Sequence, residues 1–233
     1  MQKVSIILPT YNERENIVEL INEIRRNLGH SVEIIVVDDD SPDGTWQEVE
    51  KITNENIRLL KRTDQRCLTT AIADGIAMAR GEVIGWMDCD FSMPPERLPA
   101  LVESLKDHDI AIGSRYVGDA EDKRDTSLGI ISSKIINYTA KYILDSSITD
   151  YTSGFVVAKR EVLMEIPLRG DYGEYCIDFL YRAIKRGFRV KEIPYRCIPR
   201  RSGETKTAPN LTTFIRRGVK YISTILRLRF QDL

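Results

Sequence analysis

A chain of 233 residues with 42% hydrophobic and 30% charged residues can bury a substantial core, and is neither disordered nor low in complexity. Lys and Arg number 34 against 35 Asp and Glu, and a net charge of -1 gives no overall pull toward nucleic acid. Four separated cysteines without a C-x-x-C pair argue against a disulfide scaffold or a zinc site, only His30 and His108 are available for histidine chemistry, and no apolar run is long enough to cross a bilayer.

The first apolar run predicts a strand over Val4–Leu8. It is followed by "LPTYNERE", where Asn12 is placed to cap a helix over Arg14–Leu28. A second strand, Glu33–Val37, runs into "VVDDDSPDGTW". Ser41 and Pro42 suit the start of a helix over Thr45–Thr53, a role that leaves Asp38 and Asp39 unexplained. Carboxylates at that buried strand end can accept hydrogen bonds from a nucleobase or a ribose. A strand over Ile57–Leu60 and a helix over Thr69–Arg80 follow. The strand Val83–Met87 ends in Asp88-Cys89-Asp90 before a helical pattern at Pro95–Asp107, and Ile110–Gly113 leads into "GSRY". Repeated strand–helix units of this length predict a mostly parallel α/β sheet with helices on both faces, whose ligands collect at the carboxyl ends of the strands.

The pattern D-x-D occurs three times, at Asp38–Asp40, Asp88–Asp90 and Asp107–Asp109. The last precedes its strand and is expected to be a solvated turn. Asp88 and Asp90 follow theirs, and hard oxygen ligands favour Mg2+ or Mn2+ over zinc. A solvated turn is the alternative that the pair alone leaves open.

Beyond Tyr116 a charged loop, Gly118–Thr126, precedes a helical pattern at Ser127–Leu144. "TSGFVVAKRE" reads as a strand leading to a short helix, Glu174–Arg186 as a helix, and the stretch around Pro194 as two short extended pieces. Leu211–Phe230 is a basic amphipathic helix that either packs its apolar stripe on the domain or lies on an anionic membrane surface. With no linker rich in Gly, Pro or Ser, the chain divides into one domain at 1–206 (nucleotide-binding half 1–116, acceptor half 117–206) and the helix at 207–233.

The stretches "ILPTYNERENI", "IIVVDDDSPDGTW", "MDCDFSMPPE", "AIGSRY", "DYTSGF" and "RRSGETK" occur in order from Ile6 to Lys206. Together they resemble family 2 glycosyltransferases of the GT-A fold, especially polyprenyl-phosphate sugar transferases of the dolichol-phosphate mannosyltransferase type. The resemblance implies that Pro9, Tyr11, Glu13 and Asp39 hold the nucleoside of a sugar-nucleotide donor. It places Asp88 near the ribose and metal and makes Asp90 the main metal ligand. Arg115, Arg200 and Lys206 would bind phosphates, and Asp150 and Ser153 would line the sugar or acceptor pocket.

The implied reaction is inverting transfer of a hexose from a GDP-mannose or UDP-glucose type donor to a polyprenyl or dolichyl phosphate, with mannose from GDP-mannose the expected donor pair. A phosphate monoester has a second pKa of about 6 and needs cations rather than a general base. Such an acceptor implies a cytoplasmic chain held peripherally on the cytoplasmic face of a membrane, by surface binding or by a separate membrane-spanning subunit. Two alternatives are a glycan hydroxyl acceptor, with Asp150 or Asp178 as base, and a non-catalytic nucleotide-sugar-binding subunit. Departures from the family pattern, at Ser92, Cys67–Thr70, Gly129 and Tyr151, fall mainly on the acceptor side and the sugar pocket.

Overall fold

The computed structural model describes residues 3–124, 127–202 and 211–231. The chain alternates β1 (Val4–Thr10), α1 (Arg14–Leu28), β2 (Glu33–Asp38), α2 (Thr45–Glu50), β3 (Ile57–Lys61), α3 (Leu68–Met78) and β4 (Val83–Trp86). A 3-10 turn at Pro95–Arg97 opens α4 (Leu98–Ser104), followed by β5 (Ile110–Ser114), β6 (Glu121–Asp122) and α5 (Ser127–Ile143). The remainder is β7 (Val156–Lys159), α6 (Arg160–Glu165), α7 (Tyr175–Lys185), β8 (Val190–Pro194), β9 (Arg196–Cys197) and α8 (Leu211–Phe230).

Seven strands form one sheet in the order β3-β2-β1-β4-β7-β5-β8, while β6 and β9 pair separately. Strand β1 is parallel to β2 and to β4, with Ile6 opposite Ile34 on one side and Gly85 on the other. The order therefore reverses between β1 and β4, and the loops that leave them part to either side of a crevice. Only β7 runs antiparallel, between β4 and β5. This mostly parallel sheet flanked by helices is the architecture expected from the strand–helix alternation.

Alternation along the strands supplies two cores. Ile6, Leu8, Ile34 and Val36 face the layer containing Ile17, Leu20, Ile21 and Ile24 of α1 and Leu98 and Leu101 of α4. Ile7, Ile35, Ile84 and Trp86 face the layer of α3, α7 and α8. The four α1 residues recur at helical spacing and are fully buried, which fixes the face this helix presents. Gly75 of α3 crosses β1 so closely that a Cβ there would meet Ile7 Cγ2 at 2.5 Å.

Two local expectations are corrected, and one open alternative is resolved. Asn12 does not cap α1: it takes a left-handed φ of 56°, its N–H bonds Ser41 Oγ, and Glu13 occupies the cap position. Asp109 is not a solvated turn, because it accepts from Lys159 Nζ at 2.8 Å and from the Arg189 N–H at 2.9 Å. Burial alone would raise its pKa; the bonds from Lys159 and Arg189 outweigh this and hold it at about 2.

The open alternative concerns α8. It packs against α5 and α7, with Ile225 and Leu228 buried in the sheet's second core. Arg227 Nη2 donates to Asp178 Oδ1 at 3.2 Å, Lys220 pairs with Asp171, and Arg217 lies 3.7 Å over the Tyr172 ring. Of the two roles left open for the stripe, it closes the domain's own core, although Ile215, Val219, Leu226 and Phe230 remain exposed. No helix among the described residues is long and apolar enough to cross a membrane.

Two outcomes follow from this packing. Gly75→Ala forces a methyl into Ile7 and is expected to cost about 1–3 kcal/mol, read from urea midpoints. Asp109 has a depressed folded pKa, so its stabilisation is present above its unfolded value of 3.8 and is lost as pH falls toward about 2. Urea midpoints of Asp109→Asn across that interval should change less with pH than those of the parent.

Candidate functional site

The crevice between β1 and β4 receives the loops after Thr10, Asp38 and Trp86, so the first two acidic motifs meet at one sheet edge. Within Asp38–Asp40 the three carboxylates have separate tasks. Asp38 is fully buried and accepts from Ser41 N and Oγ and from Thr10 Oγ1, fixing the loop. Asp39 accepts from Arg62 Nε at 2.7 Å and from the Cys67 N–H at 3.1 Å. Asp40 is exposed and pairs with Lys61 at 2.9 Å. Burial pushes Asp39 above its ordinary carboxylate value, and Arg62 offsets only part of the rise.

Arg62 carries much of this wall. Its Nη1 donates to Thr70 Oγ1 and Asp74 Oδ2, and its Nη2 to the Cys67 carbonyl. Arg66 lies 3.9 Å over the ring of Tyr11. Neither arginine was anticipated. Arg62 directly follows β3, so the strand-end rule that singled out the acids would also have found it. Pro9 is half-buried beside Cys89, whose Sγ reaches the Pro9 carbonyl at 3.6 Å.

Glu13 is 93% buried, and its carboxylate is shared. Oε2 accepts from Asn16 Nδ2 at 2.9 Å and Oε1 from Arg200 Nη2 at 3.0 Å. The same Arg200 nitrogen lies 3.8 Å from Asp90 Oδ2. Arg200 thus bridges the acid expected at the nucleoside to the acid expected at the metal.

Asp88 is exposed, Cys89 buried and Asp90 half-buried, so alternate side chains face outward past the end of β4. Asp90 Oδ1 accepts from the Ser92 N–H, and Phe91 between them takes a left-handed φ of 63° that bends the chain there. No cluster of three or more His, Cys, Asp or Glu suited to a metal occurs among the described residues. Two hard carboxylates at an open edge fit Mg2+ or Mn2+, which complete their shells with water and phosphate, and do not fit a closed protein cage.

On the acceptor half the arrangement differs from expectation. Arg115 is buried and grips Asp150 bidentately, Nε to Oδ2 at 2.8 Å and Nη2 to Oδ1 at 2.6 Å, while Nη2 also donates to Thr152 Oγ1. Burial opposes its charge, but Asp150 prevails and raises its pKa. The guanidinium expected at a phosphate is therefore committed inside the protein. Asp150 and Ser153 are buried rather than pocket-lining, and Asp178 is held by Arg182 and Arg227. Neither Asp150 nor Asp178 is placed to act as a base. Lys206 lies outside the described residues.

Residues 5–167 match the sequence profile of Glycosyl transferase family 2. The chain is 36% identical over 209 residues to a dolichol-phosphate mannosyltransferase of Pyrococcus furiosus, covering 88% of this chain but only 59% of that relative's length. It is 35% identical to a polyprenol monophosphomannose synthase of Mycolicibacterium smegmatis, covering 88% of this chain and 81% of the relative. Among solved structures, glucosyl-3-phosphoglycerate synthase of Mycobacterium tuberculosis, in complex with Mn2+, UDP and phosphoglyceric acid, matches with a TM-score of 0.76 at 17% identity. That match covers all of this chain and 80% of the other.

This last finding corrects the narrower expectation. The whole fold is shared with an enzyme whose structure holds a small phosphorylated metabolite, not a polyprenyl phosphate. The assignment as a polyprenyl-phosphate mannosyltransferase is withdrawn. So are the membrane surface, the membrane-spanning subunit and the cytoplasmic-face location that depended on it; α8, one candidate for such a surface contact, packs on the domain.

The Arg115–Asp150 pair generates a stability outcome. Asp150→Ala leaves a buried arginine uncompensated and is expected to cost about 3–5 kcal/mol. Replacing both residues by apolar side chains of similar volume should cost less, which denaturant titration of the two variants will measure.

Proposed function

Because the chain belongs to glycosyl transferase family 2, we propose that it transfers a hexose from a uridine-type nucleoside diphosphate sugar to a hydroxyl of a small phosphorylated acceptor, with Mg2+ or Mn2+ held by Asp88 and Asp90. One observation carries the reading: Asp39, Glu13, Asp88, Asp90 and Arg200 converge at the β1/β4 crevice. Support for the donor and acceptor classes comes from the glucosyl-3-phosphoglycerate synthase structure, with its UDP and phosphoglyceric acid.

In this reading Asp39, set by Arg62, accepts from an N–H of the base. Tyr11 and Pro9 flank the nucleoside. Glu13 holds Arg200 where its guanidinium meets the diphosphate, to which arginine can donate two parallel hydrogen bonds. The metal, when bound, supplies positive charge to the diphosphate oxygens. Asp88 and Asp90 present both carboxylates to it at the open edge, and the Ser92 N–H orients Asp90. Lys206 is a further phosphate-binding candidate by its place in "RRSGETK".

With Asp150 and Asp178 sequestered by arginines, the proton of the attacking hydroxyl passes to the departing diphosphate. The bond from the anomeric carbon to the diphosphate oxygen breaks as the bond to the acceptor oxygen forms. Arg115 acts from within, fixing the loop around Asp150 rather than touching substrate.

The test incubates the full chain and Mn2+ with UDP- and GDP-sugars and, in parallel, phosphoglyceric acid, glycerol or a polyprenyl phosphate. Labelled product should form from a UDP-sugar and phosphoglyceric acid, stop on chelation, and fall about 100-fold or more in Asp90→Ala. Product formed only on polyprenyl phosphate, or undiminished turnover in Asp90→Ala, would overturn the proposal.

A further inference from the structure

The segment after β9 crosses the loop that leaves β4, and it meets that loop with two adjacent arginines. Arg200 has a part in the donor reading; Arg201 beside it has none. Yet Arg201 touches the turn that carries Asp90 at two points. Its backbone N–H donates to the Asp90 carbonyl at 3.0 Å, and its guanidinium lies 5.1 Å from the centroid of the Phe91 ring. Nη1 of the same side chain pairs with Glu19 Oε1 of α1 at 2.9 Å. A chain of contacts therefore runs from a helix packed on the core, through one arginine, to the residue between Asp90 and Ser92.

That turn needs holding. Phe91 takes a φ of 63°, a left-handed conformation that an aromatic residue adopts only at a cost. Such a conformation persists where the surroundings fix it. Here the ring packs in part on the core layer of α1 and α4, and the exposed Arg201 covers it from the solvent side. The conformation has a use. It brings the Ser92 N–H to Asp90 Oδ1 at 3.0 Å, while Oδ2 lies 3.8 Å from Arg200 Nη2. Relaxing Phe91 to an ordinary φ would swing the Ser92 N–H away and free the carboxylate to turn.

We propose that Arg201 is a positioning residue for the metal: it clamps Phe91 and so sets the Asp90 carboxylate for a divalent cation. Arg201 has this role only if Asp90 holds the metal as proposed above. A site with two protein carboxylates has little redundancy, and Mg2+ demands near-ideal octahedral geometry, so a displaced Asp90 weakens it directly.

Charge alone predicts the opposite effect. Arg201 is a cation beside a cation site, and removing it would by charge favour a divalent ion. Loss of the clamp disfavours the ion, so the sign of one measurement separates the two. A merely structural part is separated by stability, because an exposed ion pair such as Arg201–Glu19 contributes little to the fold.

Isothermal titration calorimetry of UDP into the full chain, once in EDTA and once in excess Mn2+, gives the factor by which the metal tightens UDP. Mn2+ should tighten UDP binding to the parent, and Asp90→Ala should remove most of that factor. Arg201→Gln should cut it about 3- to 10-fold, with a urea midpoint close to the parent's. Phe91→Leu should lower it similarly, and R201Q/F91L should lower it no further than F91L alone. An unchanged or larger factor in Arg201→Gln, losses that multiply in the double variant, or a loss accompanied by a large fall in the urea midpoint would overturn the clamp and leave the metal site standing. A parent that lacks the Mn2+ factor, or an Asp90→Ala variant that keeps it, would overturn the metal site and the clamp together.

Discussion

The parallel pairing of β1 with β4 is the constraint from which the rest of the molecule follows. Their shared register sends both chains out at one edge, and β2 and β3 extend the sheet to one side while β7, β5 and β8 extend it to the other. Successive crossovers therefore cannot cover the gap above β1 and β4. Most of the polar groups at this edge reach it by strand direction, with Arg200 arriving from beyond β9. Parallel β2 and β4 end there in acids, β5 ends there in Arg115, and antiparallel β7 begins there just after Asp150 and Thr152.

Charge at this edge is distributed by depth. Arg62, Arg115 and Arg182 are buried and are committed to Asp39, Asp150 and Asp178. Breaking such pairs is costly, and their net contribution to stability is modest, because both charges were taken out of water. Their value here is positional: each arginine fixes a carboxylate and the loop around it with several hydrogen bonds. Nearer the surface, Asp88, Asp90 and Arg200 remain at the open side. An ion-pair lattice beneath and chemistry-bearing groups above explains how an edge so rich in acids stays folded at neutral pH.

Much of the fold could be foreseen from the amino-acid sequence. The runs Ile6–Leu8 and Ile34–Val37 are continuous and apolar because both faces of a central strand are buried, and α1 repeats its apolar residues every three to four positions. The crevice acids could be foreseen for the same reason, since a strand boundary is a local signal. The failures share a cause as well. The fate of Arg115 depends on Asp150, 35 positions away, and that of Asp178 on Arg227, 49 positions away. No local period records such a pairing, so a buried structural arginine and a phosphate-binding one look alike in a linear chain. The role of α8 stayed open in the sequence for the same reason: an apolar stripe states that something covers it, while the identity of the cover is tertiary.

The bond from Arg200 to Glu13 joins residues 187 positions apart. Synthesis runs from the amino terminus, so β3, β2, β1 and β4, which are neighbours in the sheet, can pair once Trp86 is available, long before Arg200 exists. Throughout that interval Glu13 and Asp90 stand without the guanidinium that later bridges them. The acids are therefore gathered first and their cation is delivered later, which makes the arrival of Arg200 the event that neutralises this edge. A nascent chain would pair its first four strands while the crevice between β1 and β4 is still the wrong charge.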